Sequence, residues 1–448
     1  MGKRHTLVHQ LADWAERRPD QPAIHGKDSS GSWKSYTWKE YYHTVRRVGR
    51  GLIALGAEHA ECVAIVGDNR TEWVLSQFGM MGVGCVPAPI YPTNTPEQVA
   101  HILTNSEAKI AICDGAVQLE KFLEIHNSGM AKLTKIVTMD PIASDAEMVI
   151  SFEQLLELGD GVVDAEFDAR LEAIDPDETG LLIYTSGTTG VSKGVQLTNK
   201  GLVLIGKALV DRFPEFREPG RYVVISYLPL CHAAEQLFTN LMHLDTGGQC
   251  YFCGDLKQIK DFLTEVRPTV FLGVPRVWEK FEAALRSKLA LATGIKAKLA
   301  SWAMRTELEQ FKRSVDAGEE IGSFKRRVAN KLVIGKVKAA LGLDRLIVAA
   351  TGAAPISVAT QEFFASLGIC IYEGYGMSET TGVATVTRPK KPRFGTVGTP
   401  LDGVEVKIGD DGEILLKGET MTRGYLRMPE ETEELLDDEG WLHTGDLG

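Results

Sequence analysis

The sequence predicts an α/β protein of largely parallel sheets layered with helices, carrying a small antiparallel β subdomain near the carboxy terminus. Two observations point there. Through the first two thirds of the chain, short apolar strand-like runs alternate with helical stretches, the pattern of strands joined by helical crossovers. After about Arg393 the texture changes. Val404–Ile408 and Glu413–Lys417 alternate in polarity across a Gly-Asp-Asp-Gly turn, as the two arms of a hairpin do.

The elements follow in order. Cys62–Val66 reads as a strand and Glu72–Met81 as a helix. Thr95 can cap the next helix, with Pro96 at its first position and Gln98 closing a capping box. That helix leads to a strand at Lys109–Cys113. Further strands are expected at Leu181–Tyr184, Tyr222–Ser226, Thr269–Gly273, Leu346–Ala350 and Ile369–Tyr372. Ligands of such sheets collect at the carboxyl ends of strands. Three polar loops are expected there: Thr185–Lys193, Thr351–Pro355 and Glu373–Glu379. The apolar window Trp73–Tyr91 is broken by Gly, Pro and Gln77, so it reads as a buried helix followed by a strand rather than a membrane span.

At 448 residues the chain is long enough for more than one subdomain. The expected division is 1–392 and 393–448, with a helical insertion at about 283–345. A net charge of -11 argues against a dedicated nucleic-acid binder. From Arg286 to Arg345, however, fourteen Lys or Arg stand against six Asp or Glu. That local excess suits either a solvated helical face or a surface that meets anionic lipid or ligand phosphates. The seven cysteines lie singly except for Cys250-Tyr-Phe-Cys253. With no second pair, zinc is not indicated, and the two fit a buried strand. The pattern suits a reducing compartment, and the amino terminus lacks a secretory signal. A cytoplasmic protein, peripheral at a membrane surface if the basic helices bind lipid, is the expectation.

The sequence Tyr184-Thr-Ser-Gly-Thr-Thr-Gly-Val-Ser-Lys-Gly194 has the chemistry of a phosphate cradle. Its glycines let a ligand approach the backbone, its hydroxyls donate, and Lys193 adds a point charge. The nucleotide P-loop spacing is not met, since Ser192 precedes the lysine and Gly194 follows it. The competing reading is a solvated Gly/Ser/Thr linker.

Five segments in order resemble the adenylate-forming superfamily of acyl-CoA synthetases, luciferases and peptide-synthetase adenylation domains. They are Thr185–Lys193, Tyr227-Leu-Pro-Leu-Cys-His232, Gly352-Ala-Ala-Pro355, Tyr375-Gly-Met-Ser-Glu-Thr380 and Thr444-Gly-Asp446. Within it the chain looks most like the long-chain fatty acyl-CoA synthetases. Leu228–Gln236, the run Gly273-Val-Pro-Arg-Val-Trp-Glu-Lys280, and the basic helical stretch after it carry that likeness. The resemblance implies two α/β sheets in αβαβα layering and a two-step reaction. A carboxylate attacks the α-phosphate of ATP to give acyl-AMP and pyrophosphate, and the thiol of coenzyme A then displaces AMP.

The resemblance also implies roles. Thr185, Ser186, Gly187, Thr188, Thr189, Gly190 and Lys193 would grip the departing phosphates. Thr185 and Glu379 would flank Mg²⁺. Gly352, Ala353 and Ala354 would form one wall of the adenine site and Tyr375 the other. Gly374, Gly376, Met377 and Ser378 would continue the nucleotide surface. Asp446 would accept from the ribose hydroxyls, and His232 would orient the acyl carboxylate, a satisfied core histidine being its alternative. Some relatives place a gating Trp after that histidine. Here the run is Ala233-Ala-Glu-Gln236, so that device is in doubt. Trp278 is a candidate for the pocket region and equally for the core.

Family members continue past the last motif into a further domain. The expectation is therefore a chain that binds ATP and fatty acid with poor turnover, monomeric or homodimeric. Two alternatives stay open. One is a ligase for aryl or medium-chain acids or for a carrier protein. The other is a non-catalytic nucleotide- or lipid-binding module.

Overall fold

The computed structural model describes residues 6–186 and 191–448. Two layers of mostly parallel sheet, flanked by helices, make up the body. The first sheet has five parallel strands in the spatial order Val86–Ile90, Cys62–Val66, Ile110–Cys113, Lys135–Thr138 and Val149–Ser151. Pro87 and Pro89 lack an N–H, and their strand is accordingly at an edge. The helix Pro96–Ser106 starts where its signals place it. Thr95 accepts from Gln98 N, and the Gln98 side chain accepts from Thr95 N.

The second layer is assembled from two sheets. One runs Val223–Ser226, Gln249–Phe252, Pro22–Lys27 and Trp33–Thr37, antiparallel only at its last pair. The other runs Val270–Leu272, Val348–Thr351, Ile371–Tyr375, Thr385–Val386 and Thr399–Pro400. Its first three strands are parallel. The two sheets meet at Thr269, whose Oγ1 accepts from Val223 N and donates to Arg221 O, both at 2.8 Å. Strands Val404–Ile408, Glu413–Gly418 and Leu442–Leu447 form the separate antiparallel sheet expected near the carboxy terminus.

One sequence expectation is corrected. The run Leu181–Tyr184 belongs to a strand, Thr179–Ser186, but its partner is antiparallel: it pairs with Ser192–Thr198. The strand is thus one arm of an antiparallel hairpin rather than a strand of a parallel sheet. The reason is visible in hindsight. Val195 and Leu197 alternate with polar residues and bury fully beside Leu181 and Ile183, so the chain returns on itself.

Trp278 is also settled. It is fully buried, its indole donates to Ala350 O at 3.1 Å, and it packs on Phe271 and Phe364. It is a core residue behind the strand Val348–Thr351, on the face away from the cavity described below. Cys250 and Cys253 are buried at and just past the strand Gln249–Phe252, and none of the seven cysteines is bonded to another. Among the described residues no helix is long and apolar enough to cross a membrane.

A polar network lies inside the apolar core. Gln77 and Gln236 exchange amide bonds at 3.0 Å, and Asn240 donates to Gln236 at 2.7 Å. Asn69 donates to Ser226 Oγ and Leu228 O. Glu235 is fully buried and accepts from Thr239 Oγ1 at 2.5 Å. Burial pushes its carboxyl from the usual 4.5 up to about 7, with hydrogen bonds to its oxygens only partly offsetting. The folded chain therefore holds this proton more tightly than the unfolded one. The stability that neutral Glu235 provides is complete below about pH 4.5 and is lost as pH rises towards 7. Glu235→Gln stays neutral throughout. Relative to wild type it is expected to gain about 3 kcal/mol between pH 5 and pH 8, checked by denaturant melts at both pH values.

Candidate active site

Four of the five motif segments converge on one cavity of about 390 Å³. Thr185, His232, Gly352, Ala353, Gly374, Gly376, Met377, Ser378 and Glu379 all line it. The rest of its wall is apolar. Leu209 and Phe213 come from the helix Asn199–Arg212 and its end. Ala233, Leu237, Phe238 and Met242 come from the segment after His232, Val348 and Val386 from the sheet containing Val348–Thr351, and Val383 from the chain just before the strand Thr385–Val386.

The strand ends build the polar side. Val348–Thr351 and Ile371–Tyr375 are parallel neighbours, so the loops after them emerge together. Ala353 takes φ +65°, a left-handed conformation that costs a non-glycine residue about 1–2 kcal/mol. Strain of this kind gathers at functional turns. Gly376 has a steric reason. A Cβ there would lie 2.4 Å from Val383 Cα and 2.8 Å from Val383 N. Only glycine lets this turn lie against the returning chain, where Ala384 N bonds Tyr375 O.

His232 sits at the start of the helix Ala233–Gln236, and its Nδ1 accepts from Ala234 N at 3.1 Å. That bond fixes the tautomer and leaves the proton on Nε2. Burial lowers the imidazole's affinity for a second proton, so the ring is a neutral donor. Ala233 and Ala234 face the cavity where a Trp would be bulky, while Glu235 and Gln236 turn into the buried network. The following five residues, Leu237–Leu241, form a π-helical turn, a feature frequent at functional sites.

Lys193 stands directly opposite Thr185 in the hairpin. Its ammonium lies 4.8 Å from the ring centre of Tyr425. The Tyr425 hydroxyl donates to Glu379 Oε1 at 2.8 Å. Glu379 is 5% exposed and lies in the short turn Ser378–Thr380. On the far side Tyr375 donates to Asp446 Oδ2 at 2.8 Å. Burial first, then the Asp446 carboxylate, pushes the Tyr375 phenol up to about 12, so it remains a donor. Tyr375, Asp446, Ala354 and Lys193 are outside the cavity lining itself. Gly187, Thr188, Thr189 and Gly190 lie outside the described residues.

Sequence reasoning missed Tyr425 and the apolar wall. Neither left a local signal: Tyr425 sits in an irregular segment, and the wall draws on four distant stretches of chain.

No group of three or more His, Cys, Asp or Glu among the described residues could hold a metal. The available donors are the Glu379 carboxylate and the Thr185 hydroxyl. That set does not make a cage, but it fits Mg²⁺, a hard ion that keeps its waters and shares substrate phosphates.

Known proteins are similar to this chain in sequence and in fold. The AMP-binding enzyme family matches residues 11–426. A long-chain-fatty-acid–CoA ligase, ACSBG2 of Xenopus laevis, is 36% identical over 452 residues, covering 98% of this chain and 61% of that protein. ACSBG1 of Homo sapiens is 36% identical over 427 residues, covering 93% and 58%. The chain thus spans about three fifths of the length of these relatives. The fold is shared with the N-terminal domain of FACL13 from Mycobacterium tuberculosis, with TM-score 0.71 at 20% identity, covering 99% of this chain and 96% of that one. It is shared too with the anthranilate CoA ligase AuaEII bound to anthranoyl-AMP, with TM-score 0.72 at 19% identity, covering 100% and 75%.

Gly376→Ala is expected to lower stability by about 1–3 kcal/mol, because the extra methyl meets backbone that cannot move aside. Thermal melting checks it, with Gly374→Ala, whose nearest neighbours would be at 3.4 Å, as the milder comparison.

Proposed function

The chain belongs to the AMP-binding enzyme family, and from that premise we propose that it activates a long-chain fatty acid with ATP for transfer to coenzyme A. One observation carries the reading. A single cavity joins an apolar wall, Leu209, Phe213, Leu237 and Met242 among it, to the polar strand ends that the family uses for nucleotide, with His232 lining the same space. Each buried methylene is worth about 0.8 kcal/mol, so a long acyl tail can supply much of the binding. The names of the curated relatives support the same substrate class.

The residues would act as follows. The His232 Nε2–H donates to the acyl carboxylate and turns an oxygen towards the α-phosphorus. The P–O bond to pyrophosphate breaks as the acyl-phosphate bond forms. Lys193 and the Thr185 hydroxyl stabilise charge on the departing pyrophosphate. Tyr375 holds Asp446 at 2.8 Å to receive the ribose hydroxyls. Gly352, Ala353, Gly374, Gly376, Met377 and Ser378 surround the adenosine, with Ala354 at its margin. Thr185 and Glu379 would hold Mg²⁺, which when bound offsets phosphate charge. In the second step the coenzyme A thiolate attacks the acyl carbon and AMP leaves.

Calorimetric titration with palmitoyl-, octanoyl- and benzoyl-adenylate mimics tests this. Palmitoyl is expected to bind at least tenfold more tightly than the others. Equal binding of all three would move the specificity away from long chains. Lys193→Ala is expected to weaken ATP binding and to cut fatty-acid-dependent pyrophosphate exchange by about 10²-fold or more; unchanged exchange would remove the lysine from the chemistry.

A peripheral membrane contact is the further part of this reading. Leu291 and Ile295, at the turn between the helices Pro275–Ala290 and Gly294–Ala317, are 82% and 84% exposed. Lys288, Lys296 and Lys298 stand beside them. An apolar tip ringed by lysines suits an anionic lipid surface, which would also deliver the substrate. Co-sedimentation with phosphatidylserine vesicles is expected, and to be lost in Ile295→Glu. Absence of wild-type binding to either anionic or neutral vesicles would end the idea.

A further inference from the structure

We propose that Tyr425 is a positioning residue of the adenylating site, setting the geometry of both Glu379 and Lys193 through the two faces of its chemistry. The inference rests on the function proposed above.

Tyr425 is held on both sides. Its segment runs beside the second hairpin strand: Gln196 N bonds Gly424 O, Arg423 N bonds Gln196 O, and Leu426 N bonds Gly194 O. Tyr425 itself bridges to Val195, and its N–H donates to Thr432 Oγ1 at 3.0 Å. On the other side Thr422 N bonds Glu379 O at 2.7 Å, and Thr381 Oγ1 donates to Thr420 O at 2.5 Å. The ring therefore has little freedom. It lies where the hairpin carrying Lys193 meets the turn carrying Glu379.

Its hydroxyl and its π-face do different things. The hydroxyl occupies Glu379 Oε1, leaving Oε2 as the oxygen presented to an incoming cation. The π-face attracts the Lys193 ammonium at 4.8 Å and holds the long side chain over the site instead of in solvent. Phosphate recognition by Lys193 and cation recognition by Glu379 thus share one rigid support.

Two substitutions separate these roles. Tyr425→Phe keeps the ring and loses the hydroxyl; Tyr425→Leu loses both. ATP binding to the full chain is measured by calorimetry in EDTA and across a Mg²⁺ series. For Tyr425→Phe, affinity in EDTA is expected to stay within twofold of wild type, while the Mg²⁺ concentration for half-maximal enhancement rises about tenfold. For Tyr425→Leu the EDTA affinity is expected to fall as well, by about three- to tenfold. Thermal melts accompany both, and a folding defect in one variant leaves the other to decide. A wild-type Mg²⁺ response in Tyr425→Phe would overturn the proposal. So would a loss equal in EDTA and in Mg²⁺, which marks a merely structural residue. Failure of the wild-type chain to bind ATP under any condition would sink the nucleotide reading itself, and this inference with it.

Discussion

The site depends on a stitch between parts of the chain more than two hundred residues apart. Backbone from Thr420 to Leu426 bonds the hairpin strand at Gly194 and Gln196 on one edge and the Glu379 turn on the other. Without it, the hairpin and the strand ends would be separate elements, each with its motif but with no fixed distance between them. Hydrogen bonds formed in a dry, packed setting resist exchange with water, and a network of them is stiffer than its members. That stiffness is what phosphoryl chemistry asks of a protein, since positioning and electrostatics are nearly all it contributes. Lys193, Thr185, Glu379 and Tyr425 are the side chains this stitch brings to fixed positions, and the proposed function would use them for that chemistry.

A second constraint lies beneath His232. The segment from Leu228 to Asn240 is pinned by Asn69, Gln77 and the buried Gln236 amide. Apolar groups of the same shape can be nearly as stabilising in such a core. The polar pairing instead specifies one register for a segment that also contains a π-helical turn. Glu235 fits this view. Its carboxyl is pushed up to about 7, so below that pH it acts as one more neutral hydrogen-bonding group in the network.

Much of this fold could be read from sequence because the signals are local. The capping box at Thr95, the buried strands Cys62–Val66 and Ile110–Cys113, and the hairpin Val404–Gly418 each follow from a few adjacent residues. The motif residues were legible for another reason: strand ends in a parallel sheet must converge, so Gly352, Gly374 and Glu379 arrive together. The pairing of the strand Leu181–Tyr184 was misread because pairing direction is a non-local property; nothing in those residues says which strand they will join. Tyr425 and the apolar wall were invisible for the same reason. The wall is made by side chains from the helix Asn199–Arg212, the His232 segment and the third sheet, and only their packing makes a cavity of them.

In the proposed reaction the neutral state of His232 would tie the two halves of the cavity together. Adenylation needs the acyl carboxylate as a nucleophile. An imidazolium beside it would form an ion pair, strong in this low-dielectric space, and would draw electron density from the attacking oxygen. Burial lowers the ring's pKa, and Ala234 N occupies Nδ1. What remains is one N–H, able to orient the carboxylate without neutralising it. The positive charge that the proposed reaction requires would come from elsewhere, from Lys193 over the Tyr425 ring. In the proposed reaction the site would thus separate an uncharged donor for the nucleophile from a cation for the leaving group, and the carboxylate would keep its charge until the α-phosphorus takes it.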